Sequence, residues 1–156
     1  MKRRLQQELQ QRKPSASLEE EVWLELQRTS SVAARWVAEA LKPSGLSPSQ
    51  FNILRILRGA RPGRLSCGTI AERMVAFDPD LTRLLDRLQA AGLVEKSRDE
   101  RDRRAVSVAI TREGLDAEER ASRAVEARLR AALGGLGPRR LGELADLLEL
   151  VRGTGT

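Results

Sequence analysis

The side chains in this sequence with the clearest chemical capacity are arginines, and their spacing gives them a surface. Leu81, Leu84, Leu85 and Leu88 recur at i, i+3, i+4 and i+7, one apolar stripe of a helix, which turns Thr82, Arg83, Asp86 and Arg87 to the other face. Arg98, Arg101, Arg103 and Arg104 follow in and beside the charged run Asp99 to Arg104. A guanidinium offers a planar fork of N–H donors that fits a phosphate or the edge of a guanine, and a threonine hydroxyl can bond a phosphate or touch a thymine methyl. This is the chemistry of recognition. For catalysis the sequence is poor: no His, no Tyr and one Cys remove the usual nucleophile–base pairings, and no Gly-rich phosphate loop is present. The same composition leaves only carboxylates for a metal, a poor set for zinc or iron. Neither an enzyme nor a cofactor is expected.

The elements that must position these arginines can be read outward from them. Gly92 stops the helix, Leu93 to Arg98 can form a strand, and in Ala105 to Ile110 the residues Val106, Val108 and Ile110 alternate with Ser107 and Ala109, the period of a half-buried strand. Ahead of the helix, Ser66 to Met74 forms a short helix with Ile70, Ala71 and Met74 inward, and Ala76 to Asp78 is a turn. Asp78 or Asp80 can cap the helix that follows, with Pro79 as its first residue. If Asp80 instead faces phosphates, it repels them. Ser47-Pro48-Ser49-Gln50 is a capping box that opens a helix with Phe51, Leu54 and Leu57 inward, and Gly59 to Leu65 is a loop. Helix, turn, helix, strand, charged tip, strand is the order of a winged helix-turn-helix.

Longer helices flank this module. Ser17 caps a helix running to Leu41, where Pro43-Ser44-Gly45 ends it; Thr111 caps another through Leu133, and Pro138 opens a last one with Leu141, Leu144, Leu148 and Val151 in its stripe. Terminal helices with apolar stripes and no home in so small a module point to a symmetric dimer. The 156 residues are one domain's worth, and 40% hydrophobic residues with two Trp, two Phe and no Tyr favour helical Leu/Ala packing over stacking platforms for single strands or RNA. One Cys rules out an intramolecular disulfide framework, and the absence of any signal-like or membrane-length apolar segment makes a cytoplasmic protein the expectation. The net charge of +6 suits a polyanion partner. Its distribution is uneven: residues 1–14 carry a net +4, residues 51–66 have four arginines and no acid, and residues 78–112 carry only +1. The recognition segment must therefore work by placing particular arginines rather than by bulk charge.

Leu46-Ser47-Pro48-Ser49-Gln50-Phe51, Thr69 to Met74, Leu81 to Leu88, Gly92-Leu93-Val94, Asp99 to Ala105 and Ile110 to Gly114, in this order, resemble the MarR family of bacterial transcriptional regulators over residues 18–152. The resemblance implies a mainly α fold with a small β-hairpin wing in a single domain at 17–156, ahead of which the charge of the first residues marks a basic tail at 1–16. Within that domain, 17–42 and 112–152 would be dimerisation helices and 46–111 the DNA-binding module. It implies a homodimer whose recognition helices enter successive major grooves of an operator, a repressor relieved by a small aromatic or phenolic ligand or by oxidation. Thr82 and Arg83 match the family's outward pair, Arg83 reading a base, holding a phosphate or standing as a solvated charge. Asp102 and Arg104 match the wing's Asp-x-Arg pattern, the acid bracing an arginine that enters the narrow minor groove. Arg101 and Arg103 are expected beside phosphates, Arg98 among the DNA-binding residues, and Arg87 either on DNA or paired with Asp86 or a wing acid. A ligand would sit among Trp23, Trp36, Phe51 and Leu54 with Arg35 or Arg55 as anion partner, unless Trp36 and Phe51 are simply core. Cys67, a lone cysteine near a helix N-terminus, is either a reactive thiol or a small buried one; the second is preferred, since the family's peroxide sensors carry their cysteine in the first helix. The other reading is a winged-helix adaptor or small-molecule carrier with little DNA binding, supported by Asp80 and the near-neutral recognition segment.

Overall fold

The computed structural model describes residues 4–10, 13, 15–98 and 106–153. The chain forms two units, residues 1–35 and residues 36–156. The first holds a short helix α1 (Arg4–Glu8), so the expected tail at 1–16 has some helix, and most of α2 (Leu18–Leu41). Ser17 caps α2 as its sequence predicts: its Oγ accepts from the Glu20 N–H at 3.2 Å, and Glu20 Oε2 accepts from the Ala16 N–H at 2.5 Å. Glu19 to Glu21 occupy the first turn, where the helix dipole favours negative charge. A backbone hydrogen bond and then the Ser17 hydroxyl hold the Glu19 carboxyl below its ordinary pKa.

The second unit opens on the end of α2, which a short 3₁₀ turn (Lys42–Ser44) and Gly45 at φ 68° close. Then come α3 (Pro48–Gly59), β1 (Leu65–Ser66), α4 (Cys67–Arg73), α5 (Leu81–Ala90), β2 (Val94–Arg98), β3 (Val106–Ile110), α6 (Arg112–Leu133) and α7 (Gly137–Gly153). The capping box is present at α3: Ser47 Oγ accepts from the Gln50 N–H at 3.2 Å while Gln50 Oε1 accepts from the Ser47 N–H at 2.9 Å. Ser66 caps α4 through the Thr69 N–H at 3.1 Å. The expected two-stranded hairpin is the larger part of a three-stranded antiparallel sheet, ordered β1-β3-β2, with Leu65 opposite Val108 and Lys96 opposite Val108 on the other side. The stripe of α5 is buried as its spacing requires, Leu84, Leu85 and Leu88 joining Ile53, Leu54 and Leu57 of α3, Ile70 of α4, Val94 and Val108 in one core. A second cluster joins Leu41, Phe51, Ala121 and Val125, where α3 meets α6.

The start of α5 departs from the sequence reading. The helix begins at Leu81, not at Pro79, and Asp78 does not cap it. The Asp78 carboxylate is occupied elsewhere, accepting from the Ser49 hydroxyl at 2.7 Å and from the Asp80 N–H at 3.0 Å. Asp80 stands at the cap position and makes no side-chain cap bond. At the far end of α5, Gly92 turns the chain at φ 72° and the Leu93 N–H reaches back to the Leu88 carbonyl at 2.9 Å. In α7 no residue is buried, and Leu144, Leu147 and Leu150 are exposed.

Candidate nucleic-acid interface

Burial of the leucine stripe of α5 leaves Thr82, Arg83, Asp86 and Arg87 exposed along its opposite face, as the spacing predicted. Arg83 is 75% exposed, with its Nη1 3.5 Å from Asp80 Oδ2, so it is free to leave a solvated ion pair for a better anion. Arg87 makes no ion pair among the described residues; Asp86, its suggested partner, pairs instead with Lys96 of β2. That pair ties the middle of the recognition helix to the base of the wing.

The turn ahead of α5 is fastened to α3 at two points. Asn52 Oδ1 accepts from the Val75 N–H at 2.9 Å, and Ser49 holds Asp78 as described. Thus the helix-turn-helix angle is fixed by polar side chains of α3 as well as by the apolar core.

The wing has a comparable brace. Arg64, just before β1, donates from Nη1 to Glu95 Oε1 at 2.7 Å, from Nη2 to the Glu95 carbonyl at 3.3 Å and from Nε to Ser107 Oγ at 3.3 Å. One guanidinium therefore crosses β3 to grip β2, and Ser97 and Ser107 join their hydroxyls at 2.8 Å nearer the tip. The sequence shows the positive charge of residues 51–66 but not this pairing within the sheet, because Glu95 and Ser107 lie far along the chain. Arg64→Ala leaves the fold's core intact and frees the wing. It should weaken DNA binding several-fold, about 1 kcal/mol for lost charge-assisted hydrogen bonds, with little change in melting temperature, as titration and thermal unfolding of the same samples would show.

Arg58 is also paired, although half of its side chain stays exposed. Its Nη1 lies 2.5 Å from Oε2 of Glu118, which is only 2% exposed, and Ser122 Oγ donates to Glu118 Oε1 at 2.6 Å. The hydrogen bond to Glu118, and then its charge, raise the Arg58 pKa above its ordinary value. This pair locks α3 to α6. Beside it a cleft of about 390 Å³ is lined by Arg58, Arg61, Ile110, Arg112, Leu115, Asp116 and Glu119.

None of the residues suggested for a ligand pocket lines that cleft. Leu54 and Phe51 are core residues, 0% and 5% exposed, because the helix that carries them is packed on both sides, which for Phe51 is the core reading its sequence also allowed. Arg55 stacks over the Phe51 ring at 5.8 Å. Trp36 is half-buried under Arg128, whose guanidinium is 5.5 Å from the ring and 3.5 Å from Glu39. Trp23 and Arg35 are exposed in the first unit. Cys67 is half-buried, less than the buried thiol expected of it, and packs against the module's core. Arg101, Asp102, Arg103 and Arg104 lie outside the described residues, as does the side chain of Arg98, whose backbone ends β2. Among the described residues no group of His, Cys, Asp and Glu is placed to hold a metal, and no helix is long and apolar enough to cross a membrane.

A helix-turn-helix with its second helix exposing Thr and Arg, set beside a three-stranded wing, defines the winged helix-turn-helix class. The MarR family model matches residues 46–106. The chain is 32% identical to the HTH-type transcriptional regulator FarR of Neisseria gonorrhoeae over 108 residues, 69% of this chain and 73% of FarR. The crystal structure of a MarR transcription factor from Planctomyces limnophilus is 36% identical and superposes with a TM-score of 0.68, covering 88% of this chain and 99% of that one. This chain belongs to the MarR family. It is also 28% identical to the HTH-type transcriptional repressor MdtR of Bacillus subtilis (strain 168), where the match takes in 65% of this chain and 64% of MdtR.

Proposed function

We propose that the chain is a sequence-specific regulator of transcription that binds double-stranded DNA in the cytoplasm as a homodimer, represses, and is relieved by a small aromatic or phenolic ligand. The observation that carries this reading is the pairing of an exposed Thr82-Arg83-Arg87 face with a wing gripped at its base by Arg64. The packed leucine stripe and the Arg64 bonds hold the helix and the base of the wing before DNA arrives, which lowers the ordering cost of binding there. Thr82, Arg83 and Arg87 address the major groove, Arg101 and Arg103 the phosphates, and Arg104, braced by Asp102, the minor groove, with Arg98 also on the DNA-facing side. Exposed Leu144, Leu147 and Leu150 support dimerisation through the terminal helices, which would set the two reading heads one helical turn apart.

The test is a salt titration of binding to the DNA upstream of the chain's own gene, with Arg104→Ala alongside. Salt-sensitive, sequence-dependent binding that Arg104→Ala weakens by about 1–3 kcal/mol supports the reading. No binding at low salt to that or any genomic fragment would favour the adaptor. For the ligand, aromatic acids are screened for a rise in melting temperature and a loss of DNA binding; a flat response across the set would remove that part of the proposal.

A further inference from the structure

The two most exposed large apolar side chains among the described residues lie together, immediately ahead of the recognition helix. Val75 and Phe77 are 87% and 86% exposed, on the turn between α4 and α5. An exposed apolar pair on a loose loop would carry little meaning, but this turn is fastened on both sides of Phe77. The Val75 N–H donates to Asn52 Oδ1 at 2.9 Å, and Asp78 accepts from the Ser49 hydroxyl at 2.7 Å and from the Asp80 N–H at 3.0 Å. The apolar side chains are therefore held out by a turn with few other conformations open to it.

The position of the pair limits what it can meet. In a helix-turn-helix the N-terminal residues of the second helix are those that reach base edges, and Phe77 stands just before Leu81, Thr82 and Arg83. From Met74 to Thr82 there is no Lys or Arg, so this stretch brings no cation to a phosphate. Of its two acids, Asp78 is held inside the turn, and Asp80, 61% exposed in a solvated pair with Arg83, offers phosphates only repulsion. Ahead of Thr82, what this stretch can present to a base edge is an aromatic ring and an isopropyl group. The one apolar group that base pairs display in the major groove is the C5 methyl of thymine.

We propose that Phe77 is a specificity-determining residue, its ring packed on a thymine methyl next to the bases addressed by Thr82 and Arg83, with Val75 extending the same apolar surface. This rests on the DNA-binding reading above and adds to it a defined readout: one thymine per half-site recognised without a hydrogen bond. Such a contact also gives a weakly charged recognition segment a source of selectivity that salt does not screen.

The experiment begins with duplexes selected from a random-sequence library by the full-length wild-type protein. Affinities of wild type, Phe77→Ala and Phe77→Leu are then measured on the selected duplex and on versions in which each thymine in turn is replaced by deoxyuridine, which removes only the methyl. Wild type should lose roughly four-fold at one thymine per half-site, the value of one buried methyl. Phe77→Ala should be weakened by a similar factor on the parent duplex and be indifferent to that replacement, while Phe77→Leu keeps part of the sensitivity. All three should melt alike, since the side chain is exposed. Wild-type affinity in Phe77→Ala, with an unchanged deoxyuridine profile, would overturn the proposal and assign the patch to a protein partner. Weakening that leaves the deoxyuridine profile intact would overturn it too. Failure of the wild type to enrich any sequence is a different result, and it would count against DNA reading as a whole.

Discussion

Gly114→Ala lowers the stability of the chain by about 2–3 kcal/mol, the scale of overpacking in a closed site, and loosens the wing as it does so. A Cβ at this position would lie 2.0 Å from the Leu93 carbonyl oxygen and 2.8 Å from Ile110 Cγ1, with backbone rather than a flexible side chain as the nearest obstacle. Something must shift, and every available shift is costly. The Thr111 N–H donates to that same Leu93 carbonyl at 3.1 Å, and the Thr111 hydroxyl donates to the Gly92 carbonyl at 2.7 Å while accepting the Gly114 N–H at 3.0 Å. Moving α6 away breaks its cap; moving Leu93 disturbs the entry to β2. Better helix propensity of Ala returns only about 1 kcal/mol. The control is Gly142→Ala in α7, where nothing lies within 4 Å of the added carbon and the same propensity gain stands alone. Urea unfolding at one fixed protein concentration should move the two variants in opposite directions. Equal behaviour would mean that the junction of β2 and α6 is more compliant than its geometry says.

This junction also shows where the sequence was legible and where it was not. Local chemistry was readable: the Ser47–Gln50 box, the Thr111 cap, the leucine stripe of α5 and the alternation in β3 are all set by residues within a few positions of one another. Long-range polar use was not. Asp-Pro-Asp reads as a cap followed by a first helical residue, and nothing nearby says that Ser49 will claim the Asp78 carboxylate. The strand β1 has two residues, too few for alternation to appear, and it exists because β3 offers it an edge. The arginines of residues 51–66 looked like a basic surface, yet Arg58 and Arg64 are spent on Glu118 and Glu95, whose positions no spacing rule connects to theirs. Phe51 and Leu54 have the character of pocket walls and of core alike, and only packing against α6 and β3 decides for core.

Arg83→Ala should weaken binding to the selected operator by about 1–3 kcal/mol, roughly 5- to 150-fold, and relax the preference at one base pair per half-site. Asp80→Asn should act the other way. Its carboxylate is 61% exposed at the start of the recognition helix, where phosphates approach, and its pair with Arg83 at 3.5 Å is too solvated to hold that side chain against a better anion. Removing the charge is expected to tighten binding up to about tenfold at low salt, with the gain fading as salt screens it. The two substitutions combined separate repulsion from bracing. If Asp80 acts on the phosphates directly, the gain from Asp80→Asn persists when Arg83 is Ala; if it acts by occupying Arg83, the gain disappears. Should Asp80→Asn weaken binding whenever Arg83 is present, the acid would be an orienting partner that aims the guanidinium at its base. The near-neutral charge of the recognition segment would then be a device for selectivity, affinity being traded for an arginine held in one direction.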